Sequence, residues 1–429
     1  MMSFILDRKN YIGFYVIGFL LRGFIYHFFP MINDILMWMT IVWPIVLIGS
    51  DLRAKAVKMD GIKYCLTAFI TAALLSTLLH FSASNEESWV SLWNAVSLVY
   101  LLFLSPGMEE EKEYRTFFDR LTLAAWALIS LMALVSLILF CCYLMNISLP
   151  MGLASAERLF TYGHLGEETR FCGMFGYSTV GGNFCALAVL LGIYLIETKA
   201  VNRWISFLSI MVLLVTVWLL DVRTSMVELL VCALGLLYWL LRKKLSAGKT
   251  AGVMIAGIAV ASVGVYVLKQ DAIHSFLTKF GEDPEGTLRF LTTGRSVYWK
   301  NAFQLFLRNP LFGQGWANNT GVNYFDCHNL LANLLLWTGL AGTFSFAAFL
   351  GFWLRCVLKR KKIISDQKIL SLSLVILGVF TASMLERTLI GTENTSPDSS
   401  FFWLAAGMLA YFPKKSPVPP AETSGAKEG

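Results

Sequence analysis

The residues of this chain with the means to do chemistry are arginines and one histidine. Arg170, Arg223, Arg289, Arg295 and Arg387 lie in or beside polar segments that interrupt long apolar runs, and His328-Asn329 stands directly before another such run. A guanidinium presents a rigid fork of donors that matches phosphate oxygens, and several forks together can hold a diphosphate. A histidine beside such a group can take a proton from an attacking hydroxyl. The sequence has no Walker loop, no H-E-x-x-H and no G-x-S-x-G, which makes ATP-driven chemistry and zinc hydrolysis poor readings. No acidic cluster reads as a metal site.

Each of these residues also has a plainer use. Arg223 sits in the turn Asp221-Val-Arg-Thr-Ser and could pair with Asp221. Arg170 precedes FCGMFGYSTVGGNF, whose glycines could admit a ligand close to the backbone or could serve helix packing alone. Arg387 follows Glu386, so a local ion pair is its default, while Arg158 and Arg308 suit solvent or lipid headgroups. His328 could simply hydrogen-bond at an interface. Arg295 is the most informative, because 100° spacing puts it on one helix face with Trp299, Ala302 and Phe306. A guanidinium on an apolar face needs a partner such as a carboxylate or a phosphate. Thr292-Thr293-Gly294 precedes it, and free N–H groups at a helix start favour an anion.

The elements that must carry these residues are membrane helices. Of 429 residues, 56% are hydrophobic and 15% charged, against about a quarter charged in soluble proteins. Apolar runs recur at the length that crosses a bilayer as a helix. They fall at about 11–29, 31–50, 63–82, 88–105, 119–146, 177–196, 204–220, 224–241, 250–268, 327–355, 367–387 and 399–412. The expected fold is therefore an all-α polytopic integral membrane protein with about twelve transmembrane helices. The first run contains Arg22 and lacks a small-x-small cleavage site, so it reads as a retained span rather than a signal peptide.

Counting Lys and Arg sets the orientation. With the N-terminus cytoplasmic, about 24 of the 35 basic residues fall inside and about 10 outside. Both termini are then cytoplasmic, and the net charge of +7 reports topology rather than nucleic-acid binding. The chain divides into N-terminal helices (1–146), central helices with a first outer loop (147–268), a large extracytoplasmic loop (269–326), C-terminal helices (327–412) and a disordered cytoplasmic tail (413–429). Within the large loop, GRSVYWKNAFQLFLRNP reads as an amphipathic helix stopped by Pro310, lying on the membrane surface or capping the bundle. His328 then opens a span on the outer side, with Asp326 as its N-cap. Gly339 and Gly342 return to the face of His328 and would let another helix approach. The eight cysteines show no metal-type spacing. Cys172 and Cys327 could form a disulfide, with unpaired thiols favoured.

Four stretches carry a resemblance: RFCGMFGYSTVGGNF (170–184), LLDVRTSMVELL (219–230), TGRSVYWKNAFQLFLRNPLFGQGW (293–316) and HNLLANLLLWTGLAG (328–342). An outer-loop Gly-Arg, an aromatic helix, Asn-Pro-Leu-Phe-Gly-x-Gly and His-Asn opening a span, in that order, resemble the bacterial O-antigen ligase and polysaccharide polymerase superfamily. The resemblance implies a membrane glycosyltransferase, similar in architecture to other polyprenyl-sugar transferases, in the bacterial cytoplasmic membrane with its active site extracytoplasmic. It implies transfer of a glycan from undecaprenyl diphosphate to an acceptor glycan hydroxyl, without nucleotide, metal or other cofactor. It places Arg223, Arg295 and His328 in catalysis, the arginines on the diphosphate and the histidine on the acceptor hydroxyl. Arg170, Arg289, Asn329 and Arg387 become substrate-binding candidates. Relatives often have Ser-Arg-Gly where this chain has DVRTS.

Within that family a polymerase is favoured narrowly over a ligase to lipid A-core, and other polysaccharide-assembly proteins are candidate partners. From other classes come an anionic-solute transporter and a non-catalytic scaffold. A transporter would usually show repeats and broken helices near the bilayer midplane, and the sequence suggests neither.

Overall fold

A computed structural model of the chain describes residues 6–28, 30–53, 60–80, 86–108, 110–147, 155, 159–162, 169–268, 278, 283–292, 294–318, 327–358, 367–385, 389 and 397–411. Helices dominate. The N-terminal set is α1 (Arg8–Phe28), α2 (Pro30–Arg53), α3 (Gly61–Leu79), α4 (Glu86–Leu98) and α5 (Glu111–Leu144). The central set is α6 (Ser178–Glu197), α7 (Arg203–Leu220), α8 (Arg223–Arg242) and α9 (Ala247–Leu268). Two shorter helices, α10 (Pro284–Leu291) and α11 (Arg295–Arg308), lead to α12 (Leu330–Leu358), α13 (Gln367–Ser383) and α14 (Pro397–Tyr411).

Among the described residues, α3, α5, α6, α7, α8 and α12 are long and apolar enough to cross a membrane, with shorter apolar helices at Ser88–Phe103, Ala247–Ile258 and Lys368–Ser383. The polytopic expectation holds at that level; the figure of twelve spans goes beyond it. Helix α7 shows how the bundle meets lipid. Trp204 and Trp218 are 68% and 74% exposed on it, and fourteen residues of helix separate them by about 21 Å. Tryptophan favours the two membrane–water boundaries. Trp218 lies next to the α7–α8 turn.

The helical expectation holds, with one short strand pair added. In the first loop, β1 (Phe160–Tyr162) pairs antiparallel with β2 (Thr169–Phe171), Thr161 standing opposite Arg170. Phe160 and Phe171 pack on each other and on Phe140 of α5. An isolated two-stranded pair is marginal without such packing, and three-residue strands leave little periodic signal to read.

Helix α6 is enclosed by α5, α7, α8 and α13. Small residues make that possible: a side chain at Gly181 would strike Phe175, and one at Gly182 would strike Val222 and Ser225. Gly181 and Gly182 of the Arg170 stretch thus serve packing.

The expectation of one continuous helix from His328 onward is overturned. Helix α12 is broken at Gly339, whose φ of 59° and ψ of −157° are non-helical. The segment 309–316, directly after α11, fills the break. Leu340 N and Ala341 N donate to Pro310 O (2.8 Å) and Leu311 O (3.0 Å), while Leu336 O accepts from Gln314 N (2.7 Å). The fourth group freed by the break, Trp337 O, accepts from Ser76 Oγ of α3 at 2.6 Å. A buried backbone group left unpaired costs about 1–3 kcal/mol, more in lipid, so a break of this kind persists only when all four groups find partners. The contact is backbone on backbone. Cβ atoms at Gly313 (φ 73°) or Gly339 would collide with the facing main chain. What approaches at Gly339 is a loop, not the expected neighbouring helix, and Gly342 lies against Thr338 of its own helix.

Candidate functional site

Helix α11 forms as its sequence predicts. Ala302 and Phe306 are buried, Trp299 is half-buried, and the helix ends at Arg308, two residues before Pro310. Phe303 and Leu307 remain exposed on another side, which suits a helix at a membrane surface. Gly294 supplies the left-handed entry (φ 85°) that lets the chain turn into Arg295.

Arg295 then reaches across to the end of α13, where its Nη1 donates to Leu385 O at 2.8 Å. A helix-terminal carbonyl is thus one partner of this guanidinium, at a place where the helix dipole favours a cation. One turn along α11, Trp299 Nε1 donates to Cys327 O at 2.7 Å. That bond holds the residue immediately before His328.

His328 is half-buried and has a φ of 46°, an uncommon conformation for a residue other than glycine, and one in which histidine is over-represented. Such backbone outliers cluster at functional sites. Helix α12 begins at Leu330, and its N-cap is Asn329, whose Oδ1 accepts from Ala332 N at 2.9 Å. The expected cap, Asp326, lies outside the described residues, and His328 precedes the cap instead of sitting in the first turn. Asn329 also donates through Nδ2 to Met384 O at 2.6 Å. Arg295 and Asn329 thus meet at adjacent carbonyls of α13.

Arg223 lies at the same end of the bundle on another helix. It is the first residue of α8, entered through Asp221 in the left-handed region (φ 50°). Val222 and Ser225 are pinned by Gly182, and Ser225 Oγ donates to Asn183 Oδ1 at 3.0 Å. Helices α8 and α13 run antiparallel: Cys232 Sγ donates to Leu374 O at 3.4 Å, and Gly378 faces Glu228 and Cys232. Carried upward, that register sets Arg223 level with Ser383, on the side of α8 turned away from Glu228 and Cys232. Arg223 is exposed, and the ion pairs of the described residues do not join it to Asp221. The local-pair reading of Arg223 is thus not realised.

Arg170 is half-buried in β2, opposite Thr161. Arg289 lies in α10 with its side chain outside the described set, and Arg387 and Arg158 lie outside it altogether. Cys172 and Cys327 are both buried free thiols.

Sequence reasoning missed the last turns of α3. Ser76, Thr77 and His80 there all bond to the segment after α11. Gly315 N and Trp316 N donate to Ser76 Oγ and Thr77 Oγ1 at 3.0 and 3.2 Å, and Asn309 Nδ2 donates to His80 Nε2 at 3.2 Å. The stretch Leu-Leu-Ser-Thr-Leu-Leu-His reads as an ordinary span end, because what marks it is its partner more than two hundred residues away.

Fold and geometry define a multi-pass helical membrane protein with arginines, an asparagine and a histidine gathered at one end of the bundle. Residues 187–347, somewhat over a third of the chain, match the family model described as O-antigen ligase. The matched segment holds Arg223, Arg295, His328 and Asn329, and it supports assignment to the O-antigen ligase superfamily, membrane enzymes of surface-polysaccharide assembly. No curated protein matches the chain at a significant level.

Proposed function

We propose that the chain transfers a glycan from undecaprenyl diphosphate to the hydroxyl of an acceptor glycan, on the extracytoplasmic face of the bacterial cytoplasmic membrane. The observation that supports this reading is the meeting of Arg295 and Asn329 at the end of α13, with His328 adjoining and Arg223 at the same level of the bundle. A lipid-linked diphosphate carries its charge at the membrane boundary, where such a helix end would lie.

In this reading His328 accepts the proton of the acceptor hydroxyl as its oxygen attacks the anomeric carbon. The bond from that carbon to the diphosphate oxygen breaks, and undecaprenyl diphosphate leaves with the electron pair. Arg295 and Arg223 stabilise the charge that accumulates on the leaving group, and donors fixed in advance are most effective in that task. Asn329 holds the backbone that carries His328. Both termini are cytoplasmic, and a polymerase is favoured over a ligase to lipid A-core.

The break in α12 gives the transporter reading its strongest support, since transporters bind solutes at such breaks. Here, however, the freed backbone groups are already occupied by segment 309–316 and Ser76.

The test is a reconstituted reaction with purified protein and undecaprenyl-diphosphate-linked repeat units as the only glycan, beside His328→Ala. A ladder of lengthened lipid-linked products, reduced about 10²- to 10⁴-fold in the variant as expected for loss of a general base, supports a polymerase. Absence of elongation removes the polymerase reading, and lipid A-core is then the acceptor to supply.

A further inference from the structure

The transferase reading leaves one question of geometry open: what holds Arg295 and His328 in register, given that they belong to different segments? Helix α11 is tied at its first turns by Arg295 to Leu385 O and by Trp299 to Cys327 O. Its other end continues into segment 309–316, which enters the break of α12. Three of the four backbone groups freed there pair with the segment's own main chain. The fourth, Trp337 O, has Ser76 Oγ, and the same oxygen accepts Gly315 N–H. Ser76 is 0% exposed. One hydroxyl therefore joins three elements, α3, α12 and the segment that extends α11.

We propose that Ser76, which lies outside the family-matched residues, is a positioning residue for the transfer reaction: its hydroxyl locks the end of α11 into the break of α12 and so fixes Arg295 against His328. The proposal rests on the transferase reading for its consequence in catalysis, though not for its consequence in structure. Replacing the hydroxyl by hydrogen strips Trp337 O and Gly315 N of their partner in an apolar interior. The segment then loosens at the end of α11 opposite Arg295. A misplacement of about 1 Å can cost on the order of 100-fold in rate. The ground-state grip on the diphosphate depends less on this lock, because Arg223 is carried by α8. The defect should therefore fall on kcat rather than on KM.

The experiment compares wild type, Ser76→Ala and Ser76→Thr as full-length protein in lipid nanodiscs. Transfer is measured with undecaprenyl-diphosphate-linked repeat units as donor, and backbone hydrogen exchange is followed at 309–316 and 336–342. Ser76→Ala should lose about 10- to 100-fold in kcat with KM within about 3-fold, and its amides at Gly315, Leu340 and Ala341 should exchange faster. Ser76→Thr keeps a hydroxyl and should restore both. Wild-type kcat in Ser76→Ala overturns the positioning role. So does a loss of kcat without faster exchange, or a Ser76→Thr protein that exchanges like wild type yet is as slow as Ser76→Ala. Should the wild type itself transfer nothing, the transferase reading fails, and the exchange arm still decides whether Ser76 locks the segment.

Discussion

Several basic residues at the two ends of this helix bundle find different partners. At the end away from the site, Arg8 pairs with Asp51, Lys9 with Glu113, Lys63 with Asp60 and Arg115 with Glu111. Tyr100 adds a hydrogen bond to Asp51. At the site end, among the described residues, Arg295 donates to a carbonyl and Arg223 stands exposed without a carboxylate partner. The exposed pair Lys300–Glu285 belongs to the helices before and along α11. Charges paired with carboxylates have little left for a ligand. An arginine aimed by a carbonyl has its direction fixed by the protein. The contrast teaches that a few basic residues at the site end are directed or left exposed, where an anion can use them.

The comparison breaks most sharply at Arg295. Arg295→Ala should abolish transfer, a loss of at least about 10²- to 10³-fold as for other fixed donors aimed at developing charge. The protein should still insert and run as a single species in detergent. Arg295→Lys should recover little, because an ammonium lacks the planar fork. Wild-type product from Arg295→Ala would take this residue out of the site and leave the carbonyl contact as a helix cap.

Arg223 should give the next largest effect. Exposed and without a carboxylate, it contributes charge more than geometry. Arg223→Ala is expected to cost about tenfold or more, mainly in KM for the lipid donor, since one ground-state contact is removed. Arg223→Lys should keep a good part of the activity, unlike the lysine at position 295. Equal losses for the two lysine variants would mean that Arg223 is as rigidly aimed as Arg295, and the distinction drawn between them would fall.

Legibility from sequence followed the same division. Amphipathic spacing located α11 and its inward face of Trp299, Ala302 and Phe306, since those contacts obey a local period. His328, Arg295 and Arg223 stood out because polar groups at the ends of apolar runs are few. The break in α12 was not legible. Gly339 and Gly342 look like a helix-packing pair, and nothing local says that the chain at 309–316 returns to pair with the main chain there. Asn329 as the cap was obscured by Asp326, an equally good capping residue three positions earlier. Ser76 was least visible of all, because a serine in an apolar span usually bonds to its own helix, and only the folded arrangement gives it two distant partners. Gly181 and Gly182 were legible as close contacts, but only the fold names Phe175, Val222 and Ser225 as what approaches them.

The smallest expected effect tests the comparison from its acidic side. Asp221 lies two residues from Arg223, yet it turns the chain in the left-handed region instead of pairing. Asp221→Asn keeps a residue that tolerates that conformation and removes only the charge. Were the two groups paired, the change would release Arg223 and alter transfer strongly. With no pair to break, only a screened carboxylate near an anionic substrate disappears. Charges separated by about a Debye length in solution interact weakly, and salt weakens them further. KM for the lipid donor should therefore fall by no more than about threefold at low salt, with kcat unchanged and the difference vanishing near 0.5 M salt. A large change in kcat would show that Asp221 governs Arg223 after all, and the site end would then resemble the paired end of the bundle.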